Sequence, residues 1–473
     1  MKPKEKISKV KLKLNKDDTQ KLIVDYHIKL EALQKEYIKI LEYEKKKFCM
    51  VTKIINEKNN LWCPPLNTNL HPLDTNSWFS IKESDIHNTQ ISNKTFNLDE
   101  VENVEYKAKR ITLILTQKQK NIINSWLNAY SDMYNIALGY AKEYVIENKK
   151  PPNFIQLRSF LMEDKKELVK RSNIKVHDID YAIKLVCKNY KSALTNYKRG
   201  FIKHFRIRYW KQNRKIKIMD MEKQNFRENS IRKNILGEVK GYYNKKPFNF
   251  NTINCDCRLQ KNNEKYYLYV PSLVVNNNNN NKQKSKQISI DLGVRTFCTG
   301  ITENKIVEIG ENVSLKLKKY LERKDKILEN ANISKEIKNK NEEMINKKIS
   351  NLRNELHWKC INFLVKRNEN ILIGNMSSKS IIKKGGNLTK MTKRIVSSLN
   401  YFKFMERLKY KCSINKTGLA IIDEWMTSKM CSLCGNIKEN LGGNKIYECS
   451  NCLAIIDRDI NGARNIYIKS IKN

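Results

Sequence analysis

The spacing of four cysteines near the C-terminus constrains this chain more than any other feature: Cys431-x2-Cys434-x14-Cys449-x2-Cys452. Two C-x-x-C pairs at this separation form facing knuckles whose four thiolates can surround one Zn2+ tetrahedrally. Four thiolates close the coordination shell, so the expected ion is structural and takes no part in chemistry. Most of the other cysteines stand isolated in apolar runs, which fits a reducing compartment better than a disulfide framework. Just beyond the second knuckle comes Asp457-Arg-Asp459-Ile-Asn461-Gly-Ala-Arg464-Asn465. Asp459 falls at the start of an expected helix over 460–471, where an acid serves as N-cap, as a functional carboxylate, or as both.

At 473 residues the chain is too long for one core, and two to four domains are expected. Lys and Arg number 92 against 49 Asp and Glu, a formal charge of +43. Such a surplus repels itself in a compact fold unless a polyanion screens it, and phosphate contacts would use many of these charges. Lys, Asn and Ile are all heavily used, as in AT-rich genomes, but Asn absorbs that bias without adding charge. Nucleic acid is therefore the expected partner. There is no run of about 20 apolar residues, so no membrane span is expected. The N-terminal MKPKEKISKVKLKLNKDD lacks an apolar core and is not a secretory signal; its basic character suits a nuclear protein, and otherwise a cytoplasmic one.

Taken in order, residues 1–105 read as an N-terminal helical extension, with helical spacing over 17–60 and an irregular, Pro-containing stretch over 62–78. A basic, β-branched strand covers 106–115, and Thr116 caps a helix running to about 148. Helices over 154–161 and 176–197 follow, the latter carrying Lys184, Lys188, Lys191 and Lys198 among aromatics, a pattern that binds phosphates and stacks bases. Strands are expected over 205–209, 216–219, 235–239, 254–260 and 266–270. Together, 106–116 and 205–275 have the strand lengths of a small antiparallel barrel, with 117–204 inserted as a helical domain. The Asn tract at 276–281 cannot pack a core and marks a linker, 276–286.

Residues 288–300, ISIDLGVRTFCTG, read as a short apolar strand that delivers one carboxylate, Asp291, into a Gly-containing turn. Two more strands complete an antiparallel meander. A helical stretch over 313–370 precedes a fourth strand, Ile371-Leu-Ile-Gly374, then a polar loop over 377–398, a helix over 399–411 and a fifth strand over 419–425. This is the element order of an RNase H-like fold, covering 287–430 and 453–473 with a zinc ribbon over 431–452 between. Strands joined through a helix should run parallel, with their C-terminal ends on one edge. Asp291 and Asp459 can face each other there. Phosphodiester hydrolysis with two Mg2+ ions about 4 Å apart needs several carboxylates at one point, so a third acid is expected.

ISIDLGVRTFCTG, the TSKMCSLCG knuckle and ECSNCLAIIDRDINGARNI together resemble the RuvC-type nuclease core of TnpB proteins, the transposon-encoded relatives of type V CRISPR effector nucleases. Tyr106-Lys-Ala-Lys-Arg-Ile, the Tyr134-Asn135 helix and Tyr401…Leu408-x-Tyr410-Lys411 fit the same family, so the resemblance spans about 106–470. It implies a multidomain α+β chain: an antiparallel β-barrel with an inserted helical recognition domain, then an RNase H-like (RuvC) α/β domain with an inserted zinc ribbon. It also implies an RNA-guided DNA endonuclease using Mg2+, with an omega-type guide RNA, a double-stranded DNA target beside a short flanking motif, and a monomeric state.

One departure matters. The family's second acid is a Glu closing the fourth strand, and Gly374 stands in its place. The adjacent strand ends in Asp423-Glu424-Trp425, so Glu424 is expected to project over the edge that Gly374 leaves empty, giving a triad of Asp291, Glu424 and Asp459. A relocated Glu with an N-terminal extension resembles Fanzor proteins, the TnpB relatives of eukaryotes and their viruses. Asp423 is the alternative to Glu424, because strand alternation sends neighbours to opposite faces. Asp457 is the alternative to Asp459, although the family pattern favours the second Asp of D-R-D. Arg464 is expected to face phosphate or pair with an acid, and Asn461 to orient a carboxylate. Two other readings compete: an RNA-guided DNA-binding protein that does not cut, if Gly374 is uncompensated, and a zinc-ribbon nucleic-acid-binding protein with no guide.

Overall fold

The computed structural model describes residues 70–73, 77–85, 106–204, 206–273, 284–376 and 388–472, with scattered helical positions between 35 and 46. The expected helix over 17–60 lies mostly outside these residues, and the Asn tract wholly so. The chain divides into two compact units, Val104–Val275 and Met1–Asn103 with Asn276–Asn473. Among the described residues, no helix is long and apolar enough to cross a membrane.

The larger unit is built on a seven-stranded sheet. Its strands are β1 (His71–Pro72), β2 (Ile81–Asp85), β3 (Ser285–Leu292), β4 (Thr296–Thr302), β5 (Lys305–Glu311), β6 (Asn368–Gly374) and β7 (Gly418–Ile422), in the spatial order β1-β2-β5-β4-β3-β6-β7. The meander is antiparallel, and β3, β6 and β7 run parallel, with Ile290 opposite Ile373 and Gly374 opposite Ile422. Helices α1 (Val313–Glu329) and α2 (Lys335–Arg367) connect β5 to β6; α3 (Lys390–Leu399) and α4 (Tyr401–Asn415) connect β6 to β7. The parallel strands therefore end on a common edge, as crossover connections require. The run Ile371-Leu372-Ile373 is apolar throughout because the strand is buried on both faces. Ile371 and Ile373 pack with Leu356, Leu364, Phe404 and Leu408 of α2 and α4. Leu372 packs on the other face with Ala420, Ile422, Ile466 and Ile468, the last two from the terminal helix α5 (Arg458–Lys472).

A buried histidine fixes the junction of α2, α3 and α4. His357 lies 2.9 Å from the Leu399 carbonyl at Nε2 and 3.1 Å from Arg407 Nη1 at Nδ1. A carbonyl only accepts and a guanidinium only donates, so Nε2 carries the proton and Nδ1 accepts. Burial pushes its pKa down to about 3, so the ring stays neutral.

Several expectations are corrected here. Residues 1–105 are not only a helical extension: β2 pairs along β5 from Ile81 opposite Ile309 to Asp85 opposite Lys305. The second half of the 377–398 loop is α3, capped by Thr389, whose side chain accepts from the Thr392 N–H. The stretch 313–370 is two helices, the second begun by Ser334 as N-cap.

The smaller unit is a six-stranded antiparallel sheet in the order Ile216–Met221, Cys257–Asn262, Lys265–Leu273, Tyr106–Ile114, Lys240–Tyr243, Lys246–Pro247. Among the described residues no pairing joins its two outer strands, so the sheet is open where a barrel is expected. Thr116 caps helix Gln117–Asn148 in a reciprocal box with Gln119. Helices Phe154–Phe160, Met162–Ser172 and Val176–Lys198 follow, the middle one unforeseen from the sequence. Residues 206–209 form no strand. Their neighbour Trp210 exchanges backbone hydrogen bonds with the Asn135 side chain (2.7 and 2.9 Å) and stacks on Tyr134, so an amide side chain replaces a strand partner. The strand expected at 235–239 is instead a helical turn, Lys233–Leu236, and pairing starts only at Lys240.

Candidate active site and metal centre

Asp291 sits near the end of β3, one residue before the turn to β4. It shares a face with Ser289, whose hydroxyl donates to the Ala463 carbonyl of α5 (2.8 Å). A Cβ added at Gly462 would lie 2.8 Å from Asp291 Oδ2, so only glycine lets α5 come this close to the carboxylate. Asp459 opens α5 in the same place: a Cβ at Gly293 would stand 3.9 Å from its Oδ2. Glu424 arrives from β7. A Cβ at Gly374 would lie 2.7 Å from Glu424 Cγ and nearer still to its Oε1, so the Glu424 side chain occupies the volume that Gly374 leaves open.

Two of the carboxylates act on the third. Burial pushes the Asp291 carboxyl well above its ordinary range, and Asp459 and Glu424 push it further. Burial, with Asp423 adding to it, raises Glu424 to about 7. Asp459 is raised by burial and then Asp457, against the opposing pull of Arg295, Lys445 and Arg458. Glu424 Oε1 is buried with no hydrogen-bond partner. An orphaned carboxylate oxygen beside two more acids is a donor set that fits a divalent cation.

The alternatives are placed elsewhere. Lys469 donates to the carbonyls of Asp423 (3.0 Å) and Trp425 (2.6 Å) and also pairs with the Asp423 carboxylate (3.4 Å), whose side chain is 77% exposed. Asp457 accepts from the N–H groups of Asp459 (2.9 Å) and Ile460 (3.2 Å) and lies 3.5 Å from Lys445. Asp457 is thus the helix cap, and Asp459 is left for the acid cluster.

The four cysteines form a second centre. Cys431, Cys434, Cys449 and Cys452 bring their sulfurs within 4.8 Å of one another, and among the described residues no other set of three or more potential ligands is so tight. The acids are therefore spread more widely than the thiols. Cys431 and Cys452 stand 3.7 Å apart, Cys434 and Cys449 3.5 Å, a spacing that suits one tetrahedral ion. A short hairpin, β8 (Ile446–Glu448) and β9 (Ile455–Asp457), carries the second pair and runs directly into α5.

Residues 401–466, from the start of α4 into α5, match the family model described as Cas12f1-like, TNB domain. The TnpB-like protein L770 of Acanthamoeba polyphaga mimivirus is 28% identical over 88% of this chain and 87% of its own length. The chain is a TnpB-type relative of the type V effectors. A shorter match, 33% identical over 18% of this chain and 20% of the relative, is to a CRISPR-associated endodeoxyribonuclease, Cas12f1, of Sulfoacidibacillus thermotolerans. Among solved structures, a Cas12f1 complex with guide RNA and target DNA aligns with a TM-score of 0.46 at 13% identity, covering 75% of this chain and 83% of that one.

Other candidates in this TnpB relative are placed as follows. Asn461 orients no carboxylate: its amide donates to the Met430 carbonyl (2.8 Å) and accepts from the Ser432 N–H (2.8 Å), locking α5 to the first knuckle. Asn465 adds bonds to the carbonyls of Thr427 and Met430 (both 2.7 Å). Arg464, at 6% exposure, is interior and offers no surface to phosphate. Lys184, Lys188, Lys191 and Lys198 are all exposed on one helix, and the Lys184 ammonium lies over the rings of Phe154 and Tyr181. Tyr401 is not among the expected site residues. It is fully buried, donates its hydroxyl to the Gly293 carbonyl (2.7 Å) and feels all three acids, so it pins the turn that follows Asp291. Its position at the start of an amphipathic helix signals burial, and nothing in the spacing signals that contact.

Proposed function

We propose that this TnpB-type chain is an RNA-guided DNA endonuclease, in which Asp291, Glu424 and Asp459 hold the Mg2+ ions at which a DNA phosphodiester is hydrolysed. The observation that carries this reading is Glu424 lying in the space over Gly374, its Oε1 without a partner, beside Asp291 and Asp459. A pair of Mg2+ ions, when bound, supplies an activated water and a counter-charge for the leaving oxygen. The chain's own contribution is to hold three carboxylates together against their repulsion. Ser289 and Tyr401 tether the Asp291 turn, Lys469 anchors the Glu424 turn, and the Asp457 cap fixes the start of α5. The four-cysteine ribbon would hold Zn2+ and keep Asp459 in register.

The charge of +43 supports a nucleic-acid cargo as well as a nucleic-acid substrate. Sequence specificity would come from guide-RNA pairing, with the protein holding backbones and reading a short flanking motif. In this reading 106–116 with 205–275 is the wedge-like domain, 117–204 the recognition domain, and the Lys184–Lys198 stripe a backbone contact.

The test uses the full chain with its co-purifying RNA, which is sequenced. Wild type should cut a matched DNA in Mg2+ and not in EDTA. Glu424→Gln and Asp291→Asn should cut about a hundredfold more slowly or worse, while Asp423→Asn cuts normally. Unimpaired cutting by Glu424→Gln overturns the assignment. Defined RNA with no cutting favours a guided binder, and no RNA at all favours a zinc-ribbon binding protein without a guide.

A further inference from the structure

Two arginines beside the acids have no role in the site so far. Arg295 lies in the β3–β4 turn, four residues after Asp291, and Arg458 immediately precedes Asp459. Both exert their charge on Asp459, and Arg458 also acts on Asp291. Each gives a guanidinium N–H to a backbone carbonyl of the same loop in the ribbon. Arg458 Nη1 donates to the Gly442 carbonyl at 3.0 Å, and Arg295 Nη2 donates to the Gly443 carbonyl. Leu441 packs at the base of the loop, but Gly442 and Gly443 are exposed and a Cβ on either would meet nothing within 4 Å, so at the tip itself the two guanidinium hydrogen bonds are the side-chain contacts. Two consecutive carbonyl oxygens facing two guanidiniums present the acceptor pattern that two phosphate oxygens would present.

Resting on the nuclease reading above, we propose that Arg295 and Arg458 form a clamp for the phosphate of the strand to be cut, and that the Gly442–Gly443 loop caps the clamp until nucleic acid displaces it. A clamp for phosphate must lie beside the metal-holding acids and yet stay solvent-accessible, and both conditions are met by these two residues. The loop's two carbonyls also give both guanidiniums acceptors in the absence of substrate.

The structural alternative is that the arginines only fasten the ribbon. The two differ in sign. Gly442 has φ +60°, which an alanine adopts with strain, so Gly442→Ala loosens the cap without touching the arginines. If the arginines are a clamp, Arg295→Ala and Arg458→Ala each slow single-turnover cleavage about tenfold, whereas Gly442→Ala speeds it about threefold at subsaturating DNA. If Gly442→Ala slows cleavage as the arginine variants do, the loop is a fastening and the proposal fails. A second measurement needs no cutting: phenylglyoxal labelling of the full chain in EDTA, read by peptide mass spectrometry. A single-stranded DNA 20-mer should protect both arginines, and Gly442→Ala should make both more reactive without DNA. Labelling unchanged by DNA overturns the clamp, even if wild type cuts. Protection in a wild type that cuts nothing in Mg2+ keeps the clamp and removes the nuclease reading.

Discussion

Gly374 and Glu424 work as one unit. The carboxylate can reach Asp291 and Asp459 only because residue 374 has no side chain, and the Glu424 oxygen it admits has no hydrogen-bond partner. Gly374→Ala should therefore lower cleavage about tenfold or more, since the new Cβ overlaps Glu424 from Cγ to its carboxylate, and should also cost some stability because the whole side chain must shift. Thermal melting and a cleavage assay on the same preparation separate the two effects. Combining Gly374→Glu with Glu424→Ala returns an acid to the same edge from the neighbouring strand and should recover part of the activity that Glu424→Ala loses. Asp291, the four cysteines and the substitution at Gly374 were legible because each sits in a short local pattern. The duties of Asn461 and Arg464 were not, because they depend on which side of α5 meets the first knuckle and the sheet, and polar residues on a buried helix face carry no periodic signal.

At the level of elements, the ribbon and the His357 junction each make a measurable claim. Leu453 follows the last cysteine with φ +59° while its side chain is 80% exposed, so it bears left-handed strain without compensating burial. Leu453→Gly should stabilise the ribbon by about 1 kcal/mol, read as a rise in melting temperature at saturating Zn2+. His357 has a folded pKa near 3 against an ordinary value of 6.5. The unfolded chain therefore binds the proton first as pH falls. The contribution is complete above about pH 6.5 and lost on the way down to 3, amounting to about 2 kcal/mol by pH 5. Denaturant midpoints between pH 7 and 5 should show this slope, and His357→Gln, which keeps a donor for the Leu399 carbonyl, should flatten it. The meander, the parallel strands β6 and β7 and the Thr116 cap could be read from apolar runs and capping residues. β2 could not: Ile81-Lys-Glu-Ser-Asp85 has one apolar residue, and it is held in part by Glu83 accepting from Lys305 and Arg367, each at 2.7 Å. Trp210 and Asn135 likewise meet across 75 positions, which no local pattern reveals.

For the molecule as a whole, the charge of +43 decides how binding should respond to salt. Each phosphate neutralised contributes about 0.7 to 0.9 to the slope of log affinity against log salt. The full chain should therefore bind single-stranded RNA or DNA with a slope of magnitude about 5 or more, measured by anisotropy over a range of KCl; a slope near 1 would mean that most of the lysines stay solvated. The way β2 lies along β5 has a practical outcome of its own. A shortened chain starting at residue 104 would lose both β1 and β2 and lay bare the unpaired amides of Lys305–Glu311. An open border of that kind invites a second copy to add its own strand, so such a truncation should self-associate into concentration-dependent ladders.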